Sequence, residues 1–359
     1  MGISYRFLRQ DASAARAPRI FRARTGLLGG GVAAVAASAL AIGSLAGSAS
    51  AAGGSAAVAA LDAATSPAAA RAAGYQFVEI GSHQDRTFNQ LLGINNRGHI
   101  AGYFGAGVPG HPNKGYEISP PYGQNDFQHE NFPGSVQTQI TGLNDTGVEV
   151  GFFSTQNNGN ADNNFGFWRQ NGKYHEVNYP VKHHASPPVD QLLGVNNTGT
   201  AVGFFVDAAG NSHGYAYNIA TKKFKLITVP GATSVTAAAI NDKGTVAGFE
   251  VNAKGDTVSF TKTHTGKITR FAVPGASGTT ALGVNDNGWV VGFYTVGTGD
   301  AAATHGFVFL PNGKFIANFD DPNGIGNTTL NGINDENDIV GFYGDAAGNT
   351  DGLLAFPPF

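Results

Sequence analysis

An Asn followed seven residues later by Gly-aromatic recurs six times in this chain of 359 residues. The copies are Asn95 with Gly102-Tyr103, Asn144 with Gly151-Phe152, Asn196 with Gly203-Phe204, Asn241 with Gly248-Phe249, Asn285 with Gly292-Phe293, and Asn334 with Gly341-Phe342. Successive Asn residues stand 49, 52, 45, 44 and 49 positions apart. A period of that length marks one supersecondary unit repeated as an array, because a lone unit cannot bury its own apolar face. The fold must therefore be read copy by copy.

The array does not begin at once. Residues 1–51 carry six arginines and one acid, then an apolar Ala/Leu/Gly stretch from Leu27 to Leu45 that closes on Ala49-Ser50-Ala51. A basic start, an apolar centre and small residues at the end are the pattern of a secretory signal peptide. An uncleaved anchor is the rival, since about 20 apolar residues span a bilayer. Residues 52–74, mostly Ala with Gly and Ser, read as a linker. The repeats then occupy 75–359.

Of the 22 basic and 25 acidic residues, six and one belong to the leader, which leaves 16 and 24 and a formal charge of −8 on the remainder. That balance argues against nucleic acid and against anionic lipid, both of which need clustered Lys and Arg. With no cysteine, an exported chain has no disulfides to hold it and must rely on its core.

Within each copy, short β-branched and aromatic runs alternate with Gly, Asn, Asp and Pro clusters, which predicts four strands per copy. The first strand ends at Gly-aliphatic-Asn, as in Gly93-Ile94-Asn95. A tight turn follows, with Gly98, Gly147, Gly199, Gly244, Gly288 or Asn337 three residues after the Asn, suited to a left-handed conformation. The second strand is the aliphatic-Gly-aromatic run. Its invariant Gly implies close approach of another backbone or a bulge, and its aromatic is expected to wedge between adjacent sheets. Segments such as Asp207-Ala208-Ala209-Gly210-Asn211 lack the ligand spacing of a calcium loop and read as hairpin turns. His213-Gly214-Tyr215 and His305-Gly306-Phe307 open third strands, with both histidines expected to bond backbone. Fourth strands are expected at Tyr174–Tyr179, Phe224–Val229, Ile268–Val273 and Phe315–Asp320.

The chain has a fourth-type strand, Tyr75 to Ile80, before the first Asn copy, and ends in a third-type strand, Leu353 to Phe356. The last unit can be completed only by the first strand. Such an offset predicts an all-β fold, a six-bladed β-propeller of four-stranded antiparallel blades with the ring closed by the N-terminal strand, which leaves no long free edge.

The Gly-Ile-Asn-x-x-Gly, aliphatic-Gly-Phe and His-Gly-Phe segments resemble the bacterial extracellular repeat proteins of the HAF family. The family's third-strand signature is His-Ala-Phe, here with Gly in place of Ala at His213-Gly214-Tyr215 and His305-Gly306-Phe307, and without the His in the other four copies. The resemblance covers about residues 75–359. It implies export and a repeated β fold, and it carries no assigned reaction and hence no catalytic residue.

Chemistry is harder to find. No Gly-x-Ser-x-Gly elbow occurs, and Asp145, Asp242, Asp286 and Asp335 recur in equivalent turns, which marks them as scaffold. His183-His184, in the longest link between units, are neighbours in an extended segment and point opposite ways, which argues against a shared metal. They remain candidate ligand contacts. Five residues before each repeated Asn stand Gln90, Gln139, Gln191, Thr236, Thr280 and Thr329, an uncharged polar collar on the innermost strand suited to a sugar hydroxyl or a peptide. The blander reading is that the collar only hydrates the channel mouth. The second-to-third and fourth-to-first links share one face and are longer and more variable than the turns opposite, so binding is expected there. No catalytic residue, cofactor or metal site is assigned. The expectation is a secreted or cell-surface monomer that binds a carbohydrate or protein ligand, with no membrane contact beyond the leader. The alternatives are an extracellular polysaccharide hydrolase or lyase and a structural envelope protein.

Overall fold

A computed structural model describes residues 74–358 apart from 109, 159–161 and 300–301. The expected leader and nearly all of the linker lie outside these described residues. Twenty-four strands run through them, β1 (Gln76–Ile80) first. The first copy supplies β2 (Asn89–Ile94), β3 (Ile100–Phe104), β4 (Lys114–Ile118) and β5 (Phe127–His129). The second supplies β6 (Gln137–Leu143), β7 (Val148–Ser154), β8 (Phe165–Gln170) and β9 (Lys173–Val177). The third has β10 (Asp190–Val195), β11 (Thr200–Val206), β12 (Ser212–Asn218) and β13 (Lys223–Leu226). The fourth has β14 (Ala232–Ile240), β15 (Val246–Asn252), β16 (Thr257–Lys262) and β17 (Ile268–Phe271). The fifth has β18 (Gly278–Val284), β19 (Val290–Val296), β20 (Ala303–Phe309) and β21 (Phe315–Ala317). The sixth ends the series with β22 (Thr328–Ile333), β23 (Ile339–Gly344) and β24 (Thr350–Phe356).

Each copy forms a four-stranded antiparallel sheet in chain order; the fourth and fifth are also joined through one parallel pair, Thr257 with Gly278. The sixth sheet takes β1 as its outer strand, antiparallel to β24, with Phe77 opposite Ala355 and Val78 opposite Leu354. Fourth strands are shorter than the sequence predicts. β21 stops at Ala317 because Asn318 turns left-handed at φ 51°, and its side chain is held by the Tyr294 hydroxyl.

The apolar core lies between neighbouring sheets. Val148 and Val150 of β7 pack with Leu192, Ala201 and Tyr215 of the third copy, and Val340 and Leu354 of the sixth copy pack with Leu91, Ile100 and Tyr116 of the first. Consecutive residues of one strand serve opposite faces: Val290 belongs to the cluster around Phe271 and Phe307, Val291 to that around Phe319 and Leu330. A strand covered on both faces reads as an unbroken apolar run, which is what Val290-Val291-Gly292-Phe293 is. All six Gly-aromatic aromatics are buried.

The invariant Gly of that run has a specific cause. In every copy the first strand carries one extra residue: Leu92, Thr141, Leu193, Ala238, Leu282 and Asn331 are skipped in the pairing with the second strand. This bulge re-aims the carbonyl before it. A Cβ on Gly102, Gly151, Gly203, Gly248, Gly292 or Gly341 would stand 2.3, 2.1, 1.9, 2.0, 2.0 or 2.0 Å from the carbonyl oxygen of Gln90, Gln139, Gln191, Thr236, Thr280 or Thr329. The recurring Gly is thus required by the backbone carbonyl of the collar residue, whatever side chain that residue carries.

The tight turns form as the sequence predicts, with the turn Gly residues at φ 71–77° and Asn337 at 66°. The Asx turns at Asp207, Asn252 and Asp345 likewise close on their own backbone, each accepting from the amides two and four residues on. One expectation is corrected. His213 and His305 do not bond backbone through their rings; each meets a carboxylate, Asp207 and Asp320, at 2.7 Å. A ring at a strand start that lies beside an acidic link finds a charge-capable acceptor, which is a stronger partner than a carbonyl.

Candidate functional site

First strands line an axial channel, and its chemistry changes in layers. At the tight-turn end the repeated Asn residues form a hydrogen-bonded ladder. Each Asn Oδ1 accepts its own backbone N–H four residues on, at 2.8–3.0 Å. Each Nδ2 donates to the carbonyl of the next copy's Asn: Asn95 to Asn144 (3.1 Å), Asn144 to Asn196 (2.9 Å), Asn196 to Asn241 (3.0 Å), Asn241 to Asn285 (2.9 Å), Asn285 to Asn334 (2.9 Å), and Asn334 to Asn95 (3.4 Å). Asp would keep the acceptor and lose the donor, so the position demands an amide.

One residue further out a second ladder runs. The amides of Asn96, Asp145, Asn197, Asp242, Asp286 and Asp335 each donate to the side-chain Oδ1 of the next member, at 2.7–2.9 Å, with Asp335 donating to Asn96. Asn96 and Asn197 also reach across with Nδ2, to Asp145 and Asp335 and to Asp145 and Asp242. The acidic turns are therefore structural, as their repetition implies.

In the middle of the bore, backbones meet. A Cβ on Gly93 would lie 2.9 Å from the Cα of Gly142, one on Gly194 3.0 Å from the Cα of Ala239, and one on Gly332 3.1 Å from the Cα of Gly93. Thr141 Oγ1 and Asn331 Nδ2 tie neighbouring first strands here, bonding the carbonyls of Leu192 (2.7 Å) and Leu91 (2.9 Å).

The other end opens into a cavity of about 550 Å³, its mouth included. Its apolar walls are Leu92, Phe152, Leu193, Ala238, Phe249 and Leu282, and its polar groups come from Gln139, Thr141, Gln191, Thr280 and Asn331. No charged side chain lines it. Three members of the collar, Gln139, Gln191 and Thr280, are thus brought together at one cavity. All six collar residues are at most 5% exposed. Gln90 is turned away to accept from the Tyr103 hydroxyl at 2.7 Å, and Gln191 Nε2 donates to Asn164 at 2.9 Å. Gln139 Oε1 is buried with no protein donor in reach.

The cavity end is the face of the longer links. Segments from different units touch there: His184 bridges to Asp207, and Asn157 Nδ2 donates to the Val108 carbonyl at 3.0 Å. His183 is exposed and His184 half-buried near Phe205, and neither lines the axial cavity. The invariant Gly admits a bulge in the sequence, but which residue is the extra one shows only in the pairing, so Leu92, Leu193, Ala238 and Leu282 were missed as wall-formers.

Carboxyl groups with raised titration lie away from the cavity, and two of them, Glu130 and Glu149, share Arg169. Burial pushes Asp190 up to about 7, opposed by the hydrogen bonds from Tyr215 and Tyr179. Burial likewise raises Glu149, against the pull of Arg169. Asp351 is pushed up to about 6 by burial and by Glu79, Asp345 and Asp321. They sit on β10, β7 and β24, in three different sheets, and none lines the cavity. Among the described residues no group of three His, Cys, Asp or Glu has the arrangement of a metal site, and no helix is long and apolar enough to cross a membrane.

No protein-family model matches the chain, and no curated protein matches it. Similar folds are found among solved structures. A putative TolB from Agrobacterium tumefaciens superposes with a TM-score of 0.50 at 9% identity, over 75% of this chain and 91% of that one. TolB from Acinetobacter baumannii gives 0.44 at 12%, over 72% and 63%. A triple arginine-to-alanine mutant of AofleA from Arthrobotrys oligospora gives 0.48 at 12%, over 77% and 85%. At such identity the first likeness speaks to fold alone: an all-β, β-propeller-like architecture of four-stranded antiparallel sheets.

Proposed function

We propose that the chain is an exported, monomeric six-bladed propeller of the HAF-repeat type, closed by β1, that acts as a non-catalytic binding module. Its ligand, a carbohydrate or a protein, is met on the face of the longer links, at the axial cavity. Closure is supported by the β1–β24 pairing and by the Asn334-to-Asn95 bond. The observation that carries the binding reading is the cavity itself: a concave, largely apolar site with a few uncharged polar groups, on a scaffold whose backbone is fixed all round it. A hydrolase or lyase needs titratable groups converging on one cavity, and here Asp190, Glu149 and Asp351 lie apart. Export rests on the basic and apolar leader with its small-residue end.

The test is a screen of the repeat region against glycan and peptide arrays, with product analysis of each hit. A hit that Leu193→Arg abolishes supports the reading. Turnover of a hit, or loss of binding only on substitutions far from the cavity, overturns it.

A further inference from the structure

Charge is unevenly placed in this chain. Residues 221–270 hold eight Lys and Arg against three acids, a formal charge of +5 within residues 52–359, which carry −8. The strands gather these cations. On β13, Lys225 lies opposite Ala216 and Lys223 opposite Asn218, and residues opposite each other or two apart on a strand share a face. Ala216 packs on the cluster of Ile227, Val229 and Phe260 between the third and fourth sheets, so Lys223 and Lys225 face the fourth sheet. Phe224 points the other way, against Tyr179 and Tyr217. In the facing wall Lys262 lies opposite Ile268 and Arg270 opposite Phe260, both of that same cluster. Lys262 Nζ spans the groove to the Thr228 carbonyl at 2.8 Å, and Arg270 Nη2 reaches the Pro230 carbonyl at 2.5 Å. The level is the tight-turn end, since Asn218 pairs with both Thr200 and Lys223, and Lys262 with Val246.

These lysines are left uncompensated. Asp242 is engaged in the axial ladder, Asp256 accepts from Asn252, and Glu250 is held by Arg270. Among the described residues no carboxylate pairs with Lys222, Lys223, Lys225, Lys262 or Lys267. All but Lys262 are exposed, Lys222 and Lys267 standing in the hairpin turns beside the groove. Charge on an outer strand does guard a sheet edge. The other five outer strands, however, manage with at most one Lys or Arg each.

We propose that the outer groove between the third and fourth sheets is a second binding site, for a polysaccharide bearing carboxylates, which lies along Lys223 and Lys225 with Lys222 and Lys267 at its end. It is separate from the axial cavity and goes beyond the reading given for it. The walls offer ammonium groups, compact point charges suited to carboxylates that stay partly in water. A nucleic-acid strand would stack its bases on exposed aromatics, and the aromatic of β13 is turned to the other side. A bilayer takes up apolar groups, and the exposed Leu226 shares the face of Phe224, away from the lysines. An acidic peptide needs partners for its amides, while the Thr228 and Pro230 carbonyls are taken by Lys262 and Arg270. A uronate chain leaves its hydroxyls in water and presents carboxylates along its length.

The test is calorimetric titration of the full chain with sodium polygalacturonate in low-salt buffer. The arginines before residue 52 are common to every variant, so differences between variants are read. Lys223→Gln with Lys225→Gln is expected to weaken binding about tenfold at an unchanged melting temperature, and Lys223→Arg with Lys225→Arg to keep it. Lys173→Gln with Lys314→Gln removes the same charge from exposed hairpins of the second and fifth copies and should leave binding unchanged. Leu193→Arg, in the axial cavity, should leave it unchanged as well. Salt at about 0.3 M should weaken the parent about tenfold. The proposal is overturned if polygalacturonate does not bind, if K173Q/K314Q costs as much as K223Q/K225Q, or if poly-glutamate or duplex DNA shows the same loss in K223Q/K225Q. Loss of polygalacturonate on L193R alone would sink this site and support the axial one.

Discussion

A Cβ added to Gly203 would stand 1.9 Å from the carbonyl oxygen of Gln191, a separation no real contact tolerates. The carbonyl belongs to a first strand pinned by the bulge at Leu193, so neither side can yield cheaply. Gly203→Ala is expected to destabilise the protein by about 3 kcal/mol or more. Gly210→Ala provides the contrast: its φ of 86° strains any side chain, yet a Cβ there meets nothing within 4 Å. It should cost about 1 kcal/mol. Urea unfolding of both variants checks the difference, and equal costs would refute the steric account.

Asn196 works in two directions, accepting from its own turn at Thr200 N and donating to the Asn241 carbonyl of the next copy. Asn196→Asp keeps the first and loses the second, burying a charge beside a carbonyl. Asn196→Ala loses both. Each is expected to cost about 2–4 kcal/mol, with the Asp variant recovering part of its loss in acid as the carboxyl becomes neutral and able to donate. An N196D midpoint indifferent to pH would contradict the ladder.

Removal of residues 75–80 takes away β1 and bares the edge of β24. An unpaired strand of seven residues invites pairing with other chains. The shortened protein should form oligomers or aggregates on size-exclusion chromatography and lose cooperativity on melting. A monomer with an unchanged melting temperature would mean that the β1–β24 pairing contributes nothing.

Asp190 titrates at about 7 in the fold against 3.8 as a free carboxyl, burial being the cause. A carboxyl raised by folding stabilises most below its unfolded value. Between about pH 4 and 7 the folded state holds a proton that the unfolded state has released, so stability falls as pH rises. Asp190→Asn should remove about one proton of linkage from that window, seen as a flatter plot of unfolding free energy against pH. A plot that keeps its slope would place the proton elsewhere.

The units were legible because each turn rests on a single local cause: Gly98 or Asn337 at positive φ, Asn95 bonding the amides after it. The same holds for β1, visible as a surplus fourth strand. The ladder between copies was not legible, because Asn95 Nδ2 finds a backbone carbonyl 49 residues away, and a carbonyl leaves no trace in a sequence. His213 and His305 were misread for a related reason, since Asp207 and Asp320 reach them only through the pairing of strands and links.

At its waist the bore is bounded by main chain, glycine against glycine, with Ala239 in the fourth copy. A side chain added at one of those glycines would run into the backbone of the neighbouring first strand. The spacing of the first strands is thereby held by backbone contact, while the side chains that line the cavity above can change singly. A protein made this way separates gauge from taste: one is held by main chain, and the other is open to change at the rim.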